Sequence, residues 1–316
     1  MIPTYNRPAL LARCLRALAK QTLDKQWFEV LVISDGPDEA TTRALQPWLR
    51  QSRLNLVLRS TEVKKGPAAC RNLGWLSAKS PVIAFTDDDC VPARDWLTAF
   101  LLYDNGSPLQ AWSGKTLVPL PEKPTDFARN TAGLEQAEFI TANCACTKQA
   151  LLLTGGFDER FKLAWREDSD LHFKLLENSI PIVKVLSAVV QHPVRDAHWG
   201  ISVREQKKAA YEALLFRKFP ELYRSKIGGT QIWNYYLINL LWLVLLLSTA
   251  TKHNNITKVV AAIQVLFLLS FAYKRLRGNS KSFGHVLEML STSVIIPTLS
   301  LYWRIYGAVK YKVLFI

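Results

Sequence analysis

The feature that most constrains the fold is a regular alternation of helix-like and strand-like segments between residues 8 and 192. It begins with PALLARCLRALAKQ, where apolar residues recur at helical spacing behind Pro8. Strands are then predicted at 27–34, 54–59, 81–86 and 182–192, and helices up to about residue 50 and at 66–80, 147–154 and 167–178. The alternation predicts an α/β fold with a mostly parallel, Rossmann-like sheet flanked by helices, which binds ligands at the carboxyl ends of its strands.

Three long apolar runs follow, at 232–250, 256–273 and 286–303. The first two approach the ~20 residues that span a bilayer, and basic and aromatic residues flank them, although a buried helical hairpin is the alternative. The third run contains Glu288 and Pro297, so it can either span the membrane or lie at its interface. We therefore predict three regions, namely an α/β domain at 1–200, an amphipathic linker helix at 201–230 and a membrane-associated region at 231–316.

The distribution of charge also favours a membrane. Of the formal net charge of +14, eight charges belong to residues 231–316, which hold nine Lys or Arg and the single acid Glu288. Positive flanks of apolar runs suit an anionic membrane surface, whereas a nucleic-acid binder would present a basic face with interleaved aromatic residues. We therefore expect no nucleic-acid partner.

Compartment is predicted from two further features. The five cysteines include no CxxC pair, which indicates buried, reduced thiols rather than disulfides or a zinc site. No signal-peptide pattern precedes PTYNRP, so the α/β domain is expected on the cytoplasmic face of the membrane.

Asp87, Asp88 and Asp89 directly follow the apolar strand VIAFT. Three adjacent carboxylates at the end of a buried strand repel one another unless a cation neutralises them. Oxygen ligands of this kind suit Mg²⁺ or Mn²⁺, which keep positions open for the phosphate oxygens of a diphosphate leaving group. The alternative is an acidic turn that is simply solvated, and the motif alone does not decide between the two.

Other polar residues follow other predicted strands and are expected at the same sheet edge. Asp35 ends VLVIS, where its carboxylate can accept hydrogen bonds from a base or ribose, and Tyr5 offers a ring for stacking a nucleobase. Arg71 lies one turn into a predicted helix, where the guanidinium and the helix N-terminus both favour anions. His192, at the end of the last strand, is either a metal ligand or a hydrogen-bonded structural histidine. Taken singly, each residue also fits an ordinary turn or a solvated side chain.

The segment WREDSDL places Glu167, Asp168 and Asp170 in the first turn of a predicted helix. The helix dipole favours acids there whatever their role. If a donor sugar lies near this turn, one carboxylate can deprotonate an acceptor hydroxyl while a metal supports the departing diphosphate.

Six motifs in order, PTYNRP, SDGP, GPAACRNLG, FTDDDCVP, GGFDERF and WREDSDL, resemble those of family 2 glycosyltransferases of GT-A type. The resemblance runs from residue 1 to about residue 195. It implies a GT-A fold, an inverting transfer of sugar from a nucleotide-diphosphate donor to an acceptor hydroxyl, and Mn²⁺ or Mg²⁺ as cofactor. The apolar C-terminal runs point to a membrane location and to a lipid-linked or cell-envelope glycan as acceptor.

The resemblance also implies roles for individual residues. Asp168 is expected to be the general base, and Trp165 and Glu167 are expected to face the acceptor. The resemblance implies that Asp89 holds the metal, and the residue pattern adds Asp87 and His192 as expected metal ligands. The residues expected to bind the nucleotide, its ribose or its phosphates are Pro3, Thr4, Tyr5, Asp35, Arg71, Asp87 and Asp88.

Two features depart from the family pattern. Only Met1 and Ile2 precede the Pro-Thr-Tyr motif, so the first strand is expected to be short and to leave backbone groups of its neighbours unpaired. Either the natural start lies upstream or the product is impaired. No QxxRW motif follows the expected base, which favours transfer of single sugars over processive synthesis.

Two other functions fit parts of the pattern. A nucleotidyl or phosphoryl transferase would use the same acid cluster, although the sequence has neither a GxxxxGK[ST] loop nor a GxGxxG fingerprint. A catalytically impaired, membrane-tethered protein that binds nucleotide sugars would need no general base, whereas Asp168 is present.

Overall fold

A computed structural model describes residues 1–50, 54–228 and 232–315. The chain divides into two compact units, the first formed by Met1–Pro119 with Thr131–Arg195 and the second by Leu120–Asn130 with Asp196–Ile316. The predicted linker helix and the predicted membrane region include residues 229–231 and 316, which lie outside the described residues.

The strands all belong to the first unit. In chain order they are β1 (Ile2–Thr4), β2 (Val30–Ser34), β3 (Leu56–Ser60), β4 (Val82–Phe85), β5 (Val91–Pro92), β6 (Ala111–Leu117), β7 (Cys144–Thr147) and β8 (Ile182–Gln191). The helices are α1 (Pro8–Leu18), α2 (Glu39–Arg50), α3 (Pro67–Ser77), α4 (Trp96–Leu102), α5 (Asp126–Ala132), α6 (Lys148–Thr154), α7 (Glu167–Glu177), α8 (Ile201–Glu205), α9 (Ala210–Lys218), α10 (Pro220–Leu222), α11 (Trp233–Ala250), α12 (Asn254–Leu276) and α13 (Phe283–Lys310).

The first unit has the predicted α/β architecture. Strands β1, β2 and β3 form a parallel sheet in that order. A second sheet has the order β4-β7-β6-β8-β5, in which β6 pairs with β8 in parallel and the other neighbours pair antiparallel. The parallel pairing predicted from sequence therefore describes the first sheet, whereas the second sheet is mixed.

Strand β1 is short, as the sequence predicts. It pairs with β2 over all three of its residues, but it reaches β4 only through Met1. The amino group of Met1 donates to the carbonyl oxygen of Ala84 at 2.7 Å, and the amide of Thr86 donates to the carbonyl oxygen of Met1 at 3.2 Å. These two bonds hold the start of β1 beside the end of β4. An apolar groove lined by residues of β1, β2 and β4 adjoins them.

The core lies on both faces of the first sheet, because all five residues of β2 are buried. Val30 and Val32 pack into one apolar cluster with Leu15 and Trp112, and Leu31 packs into another with Phe85. The five cysteines are all buried and unpaired.

The stretch at 105–145, which the sequence pattern leaves irregular, contains β6 and the start of β7, two strands in the interior of the second sheet. Gly114 interrupts the apolar pattern of β6, and a Cβ there would lie 2.4 Å from the carbonyl oxygen of Ala188. The close approach of β8 thus requires a glycine, and the glycine hides the strand in the sequence.

In the second unit, α11, α12 and α13 are each long and apolar enough to cross a membrane by length and composition. The predicted single linker helix is wrong over its described part, since α8, a 3₁₀ turn, α9, α10 and a π-helical turn at Tyr223–Ile227 replace it. Pro220 explains one break, because it starts α10 after Phe219 leaves the helical conformation with φ −139°.

Candidate active site

The three aspartates after β4 are not a solvated turn. Asp88 and Asp89 are 1% and 2% exposed, and the side chain of Asp87 is 27% exposed. Buried carboxylates require compensating partners, and the chain provides a different cation for each of the three.

Asp88 ties the ends of β1 and β4 together. One carboxylate oxygen accepts a hydrogen bond from the hydroxyl of Thr4 at 2.8 Å, and the other contacts the guanidinium of Arg7 at 3.0 Å. Burial raises the pKa of Asp88 to about 6, although Arg7 acts in the opposite direction. Both oxygens are thus engaged within the protein, and the predicted contact of Asp88 with a nucleotide stays a prediction.

Asp89 lies beside His192, with 3.6 Å between Oδ1 and Nε2. Together with Cys90 these side chains form a buried cluster whose potential ligand atoms lie within 4.8 Å of one another. The Nδ1 atom of His192 is buried and has no hydrogen-bond partner among the described residues. The second carboxylate oxygen of Asp89, Oδ2, forms an ion pair with Nε of Arg195 at 3.0 Å.

The donor set of this cluster fits a divalent cation. Carboxylate oxygen and imidazole nitrogen are ligands that Mn²⁺ accepts, and carboxylate oxygen also suits Mg²⁺. The thiol of Cys90 is a weaker candidate because burial raises its pKa well above the usual value and keeps the sulfur protonated. Asp87, the third predicted ligand, lies outside this cluster, and its Oδ1 atom contacts Arg71.

Arg71 is buried at the centre of the site. Its Nη2 atom contacts Asp87 at 2.8 Å and its Nη1 atom contacts Glu167 at 3.0 Å, while only 2% of its side chain is exposed. Burial acts against the charged guanidinium, but Asp87 and Glu167 outweigh it and raise the pKa of Arg71. Arg71 therefore connects the end of β4 to the start of α7, and its predicted contact with a nucleotide stays a prediction.

Glu167 and Asp168 open α7 behind Arg166, which has a left-handed conformation with φ +71°. Burial raises the pKa of Glu167 to about 7 in spite of Arg71, and it raises the pKa of Asp168 as well. Burial also opposes ionisation of Asp87, but the charges of Arg71, His192 and Arg195 together with the hydrogen bond from Arg71 outweigh it and lower the pKa of Asp87. The acids along this edge therefore differ in proton affinity, with Asp87 as the strongest acid of the three.

The two residues predicted on the acceptor side differ in exposure. Trp165 is 38% exposed, and the guanidinium of Arg166 lies 4.9 Å from the centre of its ring. Glu167 is buried, and its carboxylate contacts the guanidinium of Arg71. Trp165 is thus available to a ligand, whereas Glu167 would act on one through the ion pair.

Asp35 lies at the same edge, at the end of β2. Its amide donates to the carbonyl oxygen of Thr4 at 2.9 Å, and Thr4 in turn contacts Asp88. One carboxylate oxygen accepts the amides of Lys65 and Gly66 at 2.7 and 2.9 Å. Asp35 therefore fixes the loop that leads into α3.

Gly66 has φ +99°, and a Cβ there would lie 2.5 Å from a backbone oxygen, so the loop requires a glycine. On the other side of the edge the ammonium of Lys64 lies 3.6 Å from the centre of the Tyr5 ring. Tyr5 thus has a ring face that attracts a cation, which is the kind of face that also stacks with a nucleobase. Pro3 pairs with Ile33 inside the first sheet.

The GGFDERF loop is held against α3. The side chain of Asn72 donates to the carbonyl oxygen of Phe157 at 2.9 Å and accepts the amide of Phe157 at 3.0 Å. Gly156 has φ +60°, and a Cβ there would lie 2.8 Å from Asn72. Gly156 thus lets the loop pack closely on the helix that carries Arg71, whereas a Cβ at Gly155 would meet open space.

Sequence reasoning missed two cations, Arg7 and Arg195. Arg7 stands two residues after Tyr5 in PTYNRP, and Arg195 stands three residues after His192 in HPVR. Spacing from a predicted site residue was the only available signal for either one. Both ion pairs join residues more than 80 positions apart in the chain.

Residues 1–120 match the model of the family described as Glycosyl transferase family 2. The chain is 32% identical to Glycosyltransferase AglE of Haloferax volcanii over 97 residues, 31% of this chain and 32% of that protein. It is 25% identical to Validoxylamine A glucosyltransferase of Streptomyces hygroscopicus subsp. limoneus over 244 residues, 66% of this chain and 51% of that protein. The chain thus spans about a third to a half of the length of these curated relatives.

The fold is similar to that of a solved structure, a mannosyltransferase PcManGT from Pyrobaculum calidifontis in complex with GDP-Man and Mn²⁺. The TM-score is 0.60 at 19% sequence identity, over 98% of this chain and 85% of that chain. At this identity the likeness establishes the fold.

Proposed function

Because the chain carries a family 2 glycosyltransferase domain of GT-A fold, we propose that it transfers a single sugar from a nucleotide-diphosphate donor to an acceptor hydroxyl. The observation that carries this proposal is the ion pair system of Arg71, which joins Asp87 after β4 to Glu167 beside Asp168. A diphosphate site and a general base would then share one edge of the α/β unit.

The nucleotide would lie along the ends of β1 and β2. Tyr5 supplies a ring for the base, and Asp35 supplies a fixed carboxylate that already orders the loop at Lys65 and Gly66. Thr4 joins this half of the site to Asp88. Pro3 acts at a distance by holding β1 in register.

Asp89 and His192 would hold a divalent metal, Mn²⁺ or Mg²⁺. Such an ion neutralises charge on the diphosphate as it leaves. Two observations support this assignment. Nε2 of His192 lies 3.6 Å from Oδ1 of Asp89, and the buried Nδ1 of His192 has no hydrogen-bond partner among the described residues. Asp87 would bind the ribose, because its Oδ1 atom already accepts a hydrogen bond from Arg71.

Asp168 would accept the proton of the acceptor hydroxyl. Its pKa is raised by burial, which makes it a better proton acceptor than an ordinary carboxylate while it stays ionised at higher pH. Attack by the activated hydroxyl opposite the leaving diphosphate would invert the anomeric centre. Trp165 would contact the acceptor, and Glu167 would position Asp168 through Arg71.

The acceptor would be a lipid-linked or cell-envelope glycan, because the second unit carries apolar helices of membrane-spanning length. The basic flanks at Lys274, Arg275 and Arg277 would place the α/β unit on the cytoplasmic face. The sequence lacks a QxxRW motif, which supports transfer of one sugar at a time.

The test compares Asp168→Asn with the wild type and with Glu177→Gln, an exposed acid on the same helix. Calorimetry with a panel of nucleoside diphosphates, with and without Mn²⁺, first identifies the donor base. We expect all three proteins to bind that nucleotide in the presence of Mn²⁺, and Asp168→Asn to lose transfer by about 10²–10⁴-fold, the usual contribution of general-base catalysis.

Three results would each overturn a part of the proposal. Absence of metal-dependent nucleotide binding in the wild type would remove the donor site. Unchanged transfer by Asp168→Asn would remove the base, and a product with retained anomeric configuration in its NMR spectrum would remove the inverting mechanism.

A further inference from the structure

Helix α13 of the second unit has an inverted distribution of polarity. Beside Met289, Ile296 and Pro297, its buried face carries six small, polar or basic residues, namely His285, Thr292, Ser293, Ser300, Arg304 and Gly307. Its exposed face carries an apolar stripe at helical spacing, namely Leu287, Leu290, Val294, Tyr302, Ile305 and Val309. A helix with this polarity has its apolar side towards lipid and its polar side towards protein.

A basic, non-spanning segment covers the polar face along most of the helix. At the start of α13, Oε1 of Glu288 accepts the amide of Gly200 at 2.7 Å. Towards the end, Gly307 lies so close to α9 that a Cβ there would be 2.4 Å from the carbonyl oxygen of Ala210. Just after the helix, the guanidinium of Arg217 donates to the carbonyl oxygen of Tyr311 at 2.6 Å.

These contacts extend over the thickness of a bilayer. From Glu288 to Tyr311 the rise of 1.5 Å per residue gives about 35 Å, whereas the hydrocarbon core is about 30 Å thick. The covering segment contains Arg204, Lys207 and Lys208, and it ends in Arg217 and Lys218. If α13 crossed the membrane, this basic segment would have to lie inside the hydrocarbon beside it.

An ion pair network near residue 292 leads to the same conclusion. Arg275, at the end of α12, donates to the hydroxyls of Thr292 and Ser293 at 2.7 and 3.2 Å. It also contacts Asp126 at 2.8 Å and Ser202 at 3.0 Å. Residues 292 and 293 are about 14–15 Å from the start of α13, which in a spanning helix is the middle of the bilayer.

The other two long helices have no such cover. In an 18-residue apolar stretch of each helix, 11% of α11 and 17% of α12 are buried, compared with 33% of α13. The rings of Tyr235 near the start of α11 and Phe271 near the end of α12 meet edge to face with 5.3 Å between their centres, so these two ends are adjacent. Because Arg275 is also at this end, α13 meets the hairpin of α11 and α12 at its base.

We propose that α13 lies in the membrane interface with its apolar stripe on the lipid, and that α11 and α12 form the only spanning hairpin among the described helices. The partner of the stripe is the headgroup and upper acyl region of the leaflet from which α11 enters and to which α12 returns. Both ends of α13 then lie on the same side of the membrane, whereas the turn between α11 and α12 lies on the other side. This arrangement does not depend on the proposed reaction.

The experiment introduces one cysteine at a time into the full chain, as Asn255→Cys, Lys281→Cys or Lys310→Cys. All three positions are exposed, and the native cysteines are buried, so the parent chain should give only background labelling. A membrane-impermeant maleimide is applied to spheroplasts and to inverted vesicles. We expect Lys281→Cys and Lys310→Cys to react from one side and Asn255→Cys from the other.

Labelling of Lys310→Cys from the side of Asn255→Cys would overturn the proposal, because α13 would then cross the membrane. Labelling of all three from one side would also overturn it, because α11 and α12 would then not span. If Lys310→Cys does not react from either side, spin labels at Val294→Cys and Val309→Cys decide. An interfacial helix gives both labels the same depth, whereas a spanning helix places the first deep and the second near the surface.

Discussion

Replacement of Arg71 by methionine tests the arrangement on which the site is built. Arg71→Met keeps most of the volume of the side chain but leaves Asp87 and Glu167 without their shared cation. Breaking a buried ion pair by removing one partner costs about 3–5 kcal/mol. Asp87 keeps 27% exposure and can be hydrated, so we expect a loss near the lower limit, about 3 kcal/mol at pH 8.5.

The loss should depend on pH, because Glu167 can take up a proton. Its pKa is raised from 4.5 to about 7 in the folded protein, so its contribution to stability is present at low pH and is lost as the pH rises through that range. Without Arg71 the pKa of Glu167 rises further, and the protonated form persists to higher pH. The difference in unfolding free energy between wild type and Arg71→Met should therefore shrink to about half at pH 6.

The assay is urea unfolding of the purified chain in detergent, followed by tryptophan fluorescence at pH 6 and pH 8.5. Arg59→Met is the matched control, because Arg59 is exposed and has one hydrogen bond, to Ser77. It should change the unfolding free energy by no more than about 0.5 kcal/mol. Adding Glu167→Gln to Arg71→Met should recover part of the loss at pH 8.5. A loss below about 1 kcal/mol, or an equal loss at both pH values, would show that the buried ion pairs do not organise the site.

Three further results are expected. Because the pKa of Asp88 is raised to about 6, the unfolding free energy of the wild type should fall as the pH rises from 4 to 6, and Asp88→Asn should remove on the order of 2–3 kcal/mol of that fall. Urea unfolding at several pH values measures this, and an unchanged pH dependence in Asp88→Asn would count against it. Arg195→Ala should tighten binding of Mn²⁺ alone by about two- to fivefold in calorimetry, because a half-exposed ion pair to Asp89 contributes about 0.5–1 kcal/mol; weaker Mn²⁺ binding would contradict the reasoning. Gly66→Ala should lower the unfolding free energy by about 1–3 kcal/mol or more, whereas Gly133→Ala, which has open space around it, should be nearly neutral; equal effects would refute the argument from backbone strain.

Much of the fold of the first unit could be predicted, because strand ends have a strong local signal. The five residues of β2 are all apolar or small and are followed by Asp35, and β4 is followed by three aspartates. Carboxyl ends of parallel strands share an edge, so the convergence of these acids follows from the pattern alone. Strand β6 could not be recognised in this way, because Gly114 is required by the contact with β8 and removes the apolar alternation.

The ion pairs of the candidate site could not be predicted, because their partners are distant in sequence. Arg71 and Glu167 are 96 residues apart, and Arg195 joins Asp89 from the other end of the unit. A lone arginine in a sequence is most often a solvated side chain, and only the tertiary structure shows that Arg71 is buried. For this reason sequence patterns identified the acids of the edge more completely than the cations that neutralise them.

The cations have a consequence for the binding of a donor. Asp89, which would hold the metal, contacts Arg195, and the Tyr5 ring, which would stack on the base, contacts Lys64. Both side chains are at the ends of flexible stems, whereas Arg71 is buried between two acids. We therefore expect the metal to replace Arg195 at Asp89 and the base to replace Lys64 at the Tyr5 ring when the donor binds. Arg195 and Lys64 would then move towards the diphosphate, while Arg71 keeps its two partners. The arginines neutralise the acids of this edge and would keep their side chains ordered before the donor binds. The positive charge of Arg195, once the metal replaces it, would be available to the leaving diphosphate.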